Sequence, residues 1–167
     1  VENLHGSADN EDTFFVSATG GLSGVMDGGD AGFDSLVLDG GTFSVIAYTA
    51  FDAHSGTIVR DGDTINYAGL EPITDLAVAA DRTITASDLP DTATLTENPD
   101  GTITFASIPP VTLPFDPAIV PDEFESIFTS VTFEQITFAK PTNSLTVNLG
   151  KSELGGKELP IISRDKL

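Results

Sequence analysis

"GGDAGFDSLVLDGG", residues 28–41, is the stretch on which the reading of this chain turns. Two glycine-rich corners enclose a short run, Ser35–Asp39, that is apolar at Leu36, Val37 and Leu38. The run is too short for a helix and is bounded by residues that break regular structure, so it reads as a strand between two tight corners. Twenty-two residues earlier, "DTFFV" (12–16), within "DNEDTFFV" (9–16), superposes on "DSLVL" (34–38), which overlaps "DAGFDSLV" (30–37). Each has Asp first, a small hydroxyl residue next, then three apolar residues. A fixed offset of this size is the mark of a repeated structural unit.

The rest of the chain extends the pattern. Apolar runs are short, rich in β-branched and aromatic residues, and separated by Gly, Asp, Asn and Pro, as in "FSVIAYTAF" (43–51), "GTIVR" (56–60), "TINYAGL" (64–70), "TATLTE" (92–97), "TITFASI" (102–108) and "SLTVNL" (144–149). Helical periodicity is almost absent. "RDGD" (60–63) and "NPDG" (98–101) supply the Asp-Gly pair that closes tight hairpins, each between two strand-like runs. "TITFASIPP" (102–110) and "QITFAKPTN" (135–143) share I-T-F-A before a proline. The expected class is all-β: an irregular right-handed parallel β-solenoid or β-roll, with an antiparallel β-sandwich as the alternative that the two hairpins favour. Residues 1–150 read as a single domain. A proline-rich excursion covers about 88–121, since seven of the ten prolines lie in 90–121 and proline cannot donate to a strand ladder. "PDEFESIF" (121–128) is a candidate two-turn helix, with Pro121 in its first turn and acids near the positive end of its dipole. Residues 151–167 form a basic segment that reads as a tail, a linker or an exchanged strand.

Charge narrows the function classes. The 167 residues carry 26 acids against 7 cations, a formal net charge of -19. Such a field repels nucleic acid and anionic membranes and attracts cations. No run approaches the roughly 18 apolar residues of a membrane span. Residues 1–139 contain only Arg60 and Arg82 as cations, whereas residues 140–167 hold five cations and three acids. The absence of cysteine removes disulfides, thiolate metal sites and cysteine nucleophiles together. The first residues are acidic and polar, unlike a signal peptide, and there is no initiator Met, so the chain reads as a mature product or an excised piece.

The Gly-Asp corners suggest a chemistry. In the nonapeptide G-G-x-G-x-D-x-U-x, glycines turn the backbone so that carbonyls face inward, and Asp adds the hard oxygen that calcium prefers. "GDAGFDSLV" (29–37) places Gly29, Gly32, Asp34 and Leu36 in register, with Asp30 at the second glycine. "SADNEDTFF" (7–15) places Asp12 and Phe14, with Asn10 as a permissive turn residue. Residues 7–41, together with "FAKPTNSLTVNLG" within 130–150, resemble the large secreted repeats-in-toxin type surface proteins of bacteria. The resemblance implies a parallel β-roll, calcium held between successive corners by Asp34, Asp12, Asp30, Asn10, Gly29 and Gly32, and a place outside the cell. The spacing of 22 residues exceeds two nonapeptides, so four residues, such as some of "SATGGLSG" (17–24), must loop out.

No catalytic constellation stands out. Asp52, His54 and Ser55 are neighbours, and adjacent strand residues point to opposite faces, whereas a triad needs convergence. Asp122, Glu123 and Glu125 are explained by the helix start. With no Trp and two Tyr, a stacking platform for sugars is thinly supplied. The expected function is a structural module of an extracellular bacterial fibre, sheath or surface layer that associates head to tail with copies of itself. The alternative is an adhesin-type module that recognises a glycan or a host surface.

Overall fold

The structure is a computed structural model, and it describes residues 2–87, 93–107, 133 and 135–149. The candidate helix at 121–128, with Asp122, Glu123 and Glu125, and the segment 151–167 lie outside the described residues. Thirteen strands follow in order: β1 (Leu4–His5), β2 (Thr13–Ser17), β3 (Val25–Asp27), β4 (Ser35–Asp39), β5 (Thr42–Ala50), β6 (Ser55–Arg60), β7 (Asp63–Ala68), β8 (Ile73–Asp75), β9 (Val78–Thr85), β10 (Ala93–Glu97), β11 (Thr102–Ser107), β12 (Ile136–Ala139) and β13 (Ser144–Asn148). They form a seven-stranded sheet, β1-β3-β7-β6-β5-β9-β13, and a six-stranded sheet, β10-β11-β12-β8-β4-β2. Among the described residues the end strands of one sheet do not pair with those of the other, so these sheets do not form a closed barrel. Seven of the eleven strand pairings are parallel and four antiparallel.

The 22-residue offset is a register. Leu4 pairs with Met26, Thr13 with Ser35 and Phe14 with Leu36, all in parallel. The chain crosses from one sheet to the other at each corner, so β1–β2, β3–β4 and β7–β8 are three arches stacked one on the next. β4–β5, β8–β9 and β12–β13 make a second stack on the other side. β4 therefore joins β3 to β5, which sit three places apart in the large sheet. Three strand spacings are about 14 Å and five extended residues about 17 Å, so the strands of the small sheet run obliquely across the large one.

Two of the four antiparallel pairings are closed by the Asp-Gly turns. Asp61 (φ 47°) and Gly62 (φ 103°) close β6 onto β7 with Arg60 opposite Asp63. Gly101 (φ 84°) closes β10 onto β11, so part of the proline-rich stretch, 93–107, is a hairpin at the edge of the small sheet. The shared I-T-F-A phrases are not parallel repeats. β11 and β12 pair antiparallel, with Ile103 opposite Phe138 and Phe105 opposite Ile136.

One core lies between the sheets. Leu36, Leu38, Ile73 and Phe138 of the small sheet face Ile46, Tyr48, Ile58 and Ile65 of the large one, each 0–1% exposed. Strand alternation delivers them: β2 buries Phe14 and Val16 and turns Phe15 outward. The only two cations of the first 139 residues are buried here too, Arg60 at 1% and Arg82 at 0% exposure. The Arg82 guanidinium donates to Asp75 Oδ2 (2.5 Å), to the Tyr48 hydroxyl (2.6 Å) and to the Ala77 carbonyl (2.5 Å), and lies 5.2 Å from the Phe138 ring centre. The Tyr48 hydroxyl itself donates to Asp75. Burial pushes the Tyr48 pKa well above the usual tyrosine range, and the Asp75 charge adds to this. Arg60 donates to the carbonyls of Ser17 (3.3 Å) and Gly20 (2.8 Å) and stacks on Phe43, fastening the irregular segment after β2 onto the core.

Candidate functional site

The stacked corners before β2 and β4 bring the expected residues together. Asp34, at 4% exposure, turns its carboxylate toward the arch below, and its Oδ1 accepts the Asp12 N–H at 2.7 Å. Asp12 Oδ2 accepts the Ser7 N–H at 2.9 Å. Asn10 and Gly32 form a parallel bridge, and the Phe33 N–H donates to the Asn10 carbonyl at 3.3 Å. The Asp9 N–H donates to the Asp30 carbonyl at 3.0 Å, so Asp30 contributes its backbone to the stack while its residue surface is exposed. Gly29 (φ 105°) and Gly32 (φ 104°) hold left-handed turns, and the Gly29 N–H is tied to Asp27 Oδ1 at 3.0 Å.

Residues outside the nonapeptide make the stacking possible. A Cβ on Gly6 would collide with the Gly28 carbonyl and with Asp12 Oδ2, and a Cβ on Gly28 with the Gly69 carbonyl and with Asp34 Oδ2. Gly6 and Gly28 therefore allow the corner backbones of successive arches to approach, and Gly69 (φ 62°) holds a left-handed turn at the third. The Gly6 N–H donates to the Asp27 carbonyl (2.8 Å) and the Gly28 N–H to the Ala68 carbonyl (2.9 Å). Sequence reading centred on Gly29 and Gly32 missed this ladder, although the 22-residue offset maps Gly6 onto Gly28. Outside the corner, Val25 N–H donates to Asn3 Oδ1 at 2.9 Å, another link across 22 residues.

The donor set is all oxygen, the kind a calcium ion selects. One oxygen of Asp34 and one of Asp12 are engaged by backbone N–H groups, which leaves each a second oxygen. Asn10 Oδ1 is buried and has no hydrogen-bond partner. Among the described residues, no three His, Cys, Asp or Glu side chains converge as a metal cluster. A calcium ion at this corner would therefore draw mainly on Asp34, Asp12, Asn10 and backbone carbonyls, and would supply charge neutralisation and a further tie between arches.

The Asp52–His54–Ser55 neighbours do not form a relay. Asp52 Oδ1 accepts the backbone N–H of His54 at 2.8 Å, and the His54 ring meets Glu71 through Nδ1 at 2.8 Å. At the N-terminal edge, His5 meets Asp27 at 3.4 Å on the exposed surface. No helix among the described residues is long and apolar enough to cross a membrane. Comparison of the chain with protein-family models, described proteins and solved structures finds no match.

Proposed function

We propose that this chain is a structural module of an extracellular bacterial fibre, sheath or surface layer, stabilised by calcium at the Asp34 corner and associating head to tail with copies of itself. The observation that carries the reading is the stacked corner. Arch lies on arch in a 22-residue register with related hydrogen bonds, a construction that grows by adding like units. In this reading the arches are turns of an irregular right-handed β-solenoid, and β5–β6–β7 and β10–β11 are departures from it. Calcium suits the module because both cations of residues 1–139 are withdrawn from the surface. Arg60 and Arg82 are core groups, which leaves the half-buried Lys140, at 3.5 Å from Glu97, as the one other Lys or Arg among the described residues.

One observation favours the adhesin reading. The outer face of the large sheet presents Asn66, Thr57, Thr49, Thr85 and Asn148 in a single row over five neighbouring strands, all hydroxyls and amides. An uncharged polar row on a strongly acidic body suits a neutral glycan. Electron microscopy of the purified chain in calcium separates the two readings. Filaments or sheets support the structural module. Single monodisperse particles that bind a neutral glycan saturably, and lose it in Thr49→Lys, support the adhesin.

A further inference from the structure

The two sheets share a property that pattern alone does not reveal. In the large sheet β1, β3 and β7 run one way, β6 reverses, and β5, β9 and β13 run the first way again. In the small sheet β2, β4, β8 and β12 run one way, β11 reverses, and β10 runs the first way again. Each sheet therefore contains two reversals that cancel. Its first and last strands, β1 with β13 and β2 with β10, have the same direction.

Among the described residues, core-face side chains are left partly exposed at these edges. Leu4 lies beside Met26 on the core face of the large sheet, yet Leu4 is 43% exposed while Met26 is 2%. Leu95 lies beside Phe105 on the core face of the small sheet, yet Leu95 is 49% exposed while Phe105 is 1%. On β13, Leu145 and Val147 pack against the core and are only partly buried. Charge differs between the ends. Residues 2–17 hold Glu2, Asp9, Glu11 and Asp12 with no Lys or Arg, whereas the chain that continues from β13, 150–167, carries Lys151, Lys157, Arg164 and Lys166 against three acids.

We infer that a second copy of this chain docks by sheet continuation, its β1 lying parallel to β13 of the first copy and its β2 continuing the small sheet beyond β10. This rests on the structural-module reading and adds to it the two faces of the contact and their polarity. Equal strand direction lets both sheets continue without turning the second copy over. Unpaired backbone groups on the edges become hydrogen-bonded. Leu4 and Leu95 are covered, and the acidic first arch is brought to the edge after which the sequence carries Lys151, Lys157, Arg164 and Lys166. The contact is heterologous, because β1 of every copy seeks β13 of another, so it leaves both ends free and repeats.

The absence of native cysteine makes the contact directly measurable. Leu4→Cys chains are mixed with Val147→Cys chains, and separately with Leu145→Cys chains, under mild oxidation. The two mixtures cover both core-facing registers, since neighbouring strands bring side chains within disulfide reach. The expected result is a disulfide-linked dimer in one of the mixtures and none from any variant alone. Efficient self-linkage of Leu4→Cys would mean a head-to-head contact and would overturn the proposal. Assembly that persists with no linkage in either mixture would overturn it as well, while leaving the structural-module reading intact. A second variant, Leu95→Lys, alters an exposed position, and it should raise the concentration at which assembly begins at least tenfold. No change would remove the small sheet from the contact and defeat the inference. An unmodified chain that never associates would defeat the module reading itself.

Discussion

Asp34 Oδ1 accepts the main-chain N–H of Asp12, 22 residues away in sequence and one arch away in space, at 2.7 Å. The aspartate that looks like a calcium ligand in the sequence is thus a strut between corners, and this role can be separated from the proposed binding of calcium. Asp34→Ala leaves the Asp12 N–H without its acceptor, and we expect a loss of about 1–3 kcal/mol in the absence of calcium. Asp34→Asn keeps an acceptor oxygen and should lose less. Calcium at one hundred times its Kd should stabilise the wild type by about 2.7 kcal/mol through mass action, and neither variant should respond as fully. Melting curves in calcium and in chelator check this. Coincident midpoints for the wild type would remove calcium from the account and leave the strut.

The corner ladder makes a prediction that does not involve metal. Gly28→Ala puts a methyl group against the Gly69 carbonyl and the Asp34 side chain, where backbone must move to make room. We expect about 1–3 kcal/mol of destabilisation, the usual range for overpacking. Gly21→Ala is the control, since its Cβ meets nothing within 4 Å. Denaturant unfolding of the two variants should separate them clearly. Equal stabilities would mean that the corners are not stacked as closely as described.

Much of this fold is legible in the sequence, and the illegible parts have physical reasons. The Asp61-Gly62 and Asp100-Gly101 hairpins follow from turn chemistry alone, and the offset between Asp12 and Asp34 is a strand register. β1, β3 and β8 have two or three residues each, too few to display a period, and exist because a neighbouring strand offers its edge. The matching I-T-F-A phrases read equally well in either direction on a β-ladder, since alternation is symmetric, and they pair antiparallel. Arg60 and Arg82 sit at core positions of β6 and β9, where nothing local distinguishes a buried arginine from a surface one. Their scarcity was the available signal. At the candidate site the motif singles out Asp34, Asp12, Asn10 and Gly32, whereas the steric need for glycine at Gly6 and Gly28 shows only in the stacked arches, although the 22-residue offset aligns the two.

The Arg82–Asp75–Tyr48 group gives a prediction for the core. Removing one partner of a buried ion pair leaves an uncompensated charge, so Asp75→Ala or Arg82→Ala should cost about 3–5 kcal/mol. The double variant Arg82→Met with Asp75→Leu should cost less than the sum of the single changes, which a double-mutant cycle measures. Tyr48 adds a pH dependence. Its folded pKa lies above the ordinary value of 10.0, so the folded state holds this proton more tightly than the unfolded state. Its contribution is complete below about pH 10 and falls as the pH rises toward the folded value. Alkaline unfolding followed from pH 9 upward should show this loss, and Tyr48→Phe, though less stable at neutral pH, should show a shallower slope. An identical slope in both proteins would place the alkaline transition elsewhere.

The central claim is that the chain associates with copies of itself in an open-ended way, and sedimentation velocity of the intact chain across a wide concentration range in calcium tests it most directly. A heterologous contact with free ends predicts a weight-average sedimentation coefficient that climbs with concentration without reaching a plateau. A single monomeric boundary, unchanged from the lowest to the highest concentration, would contradict it.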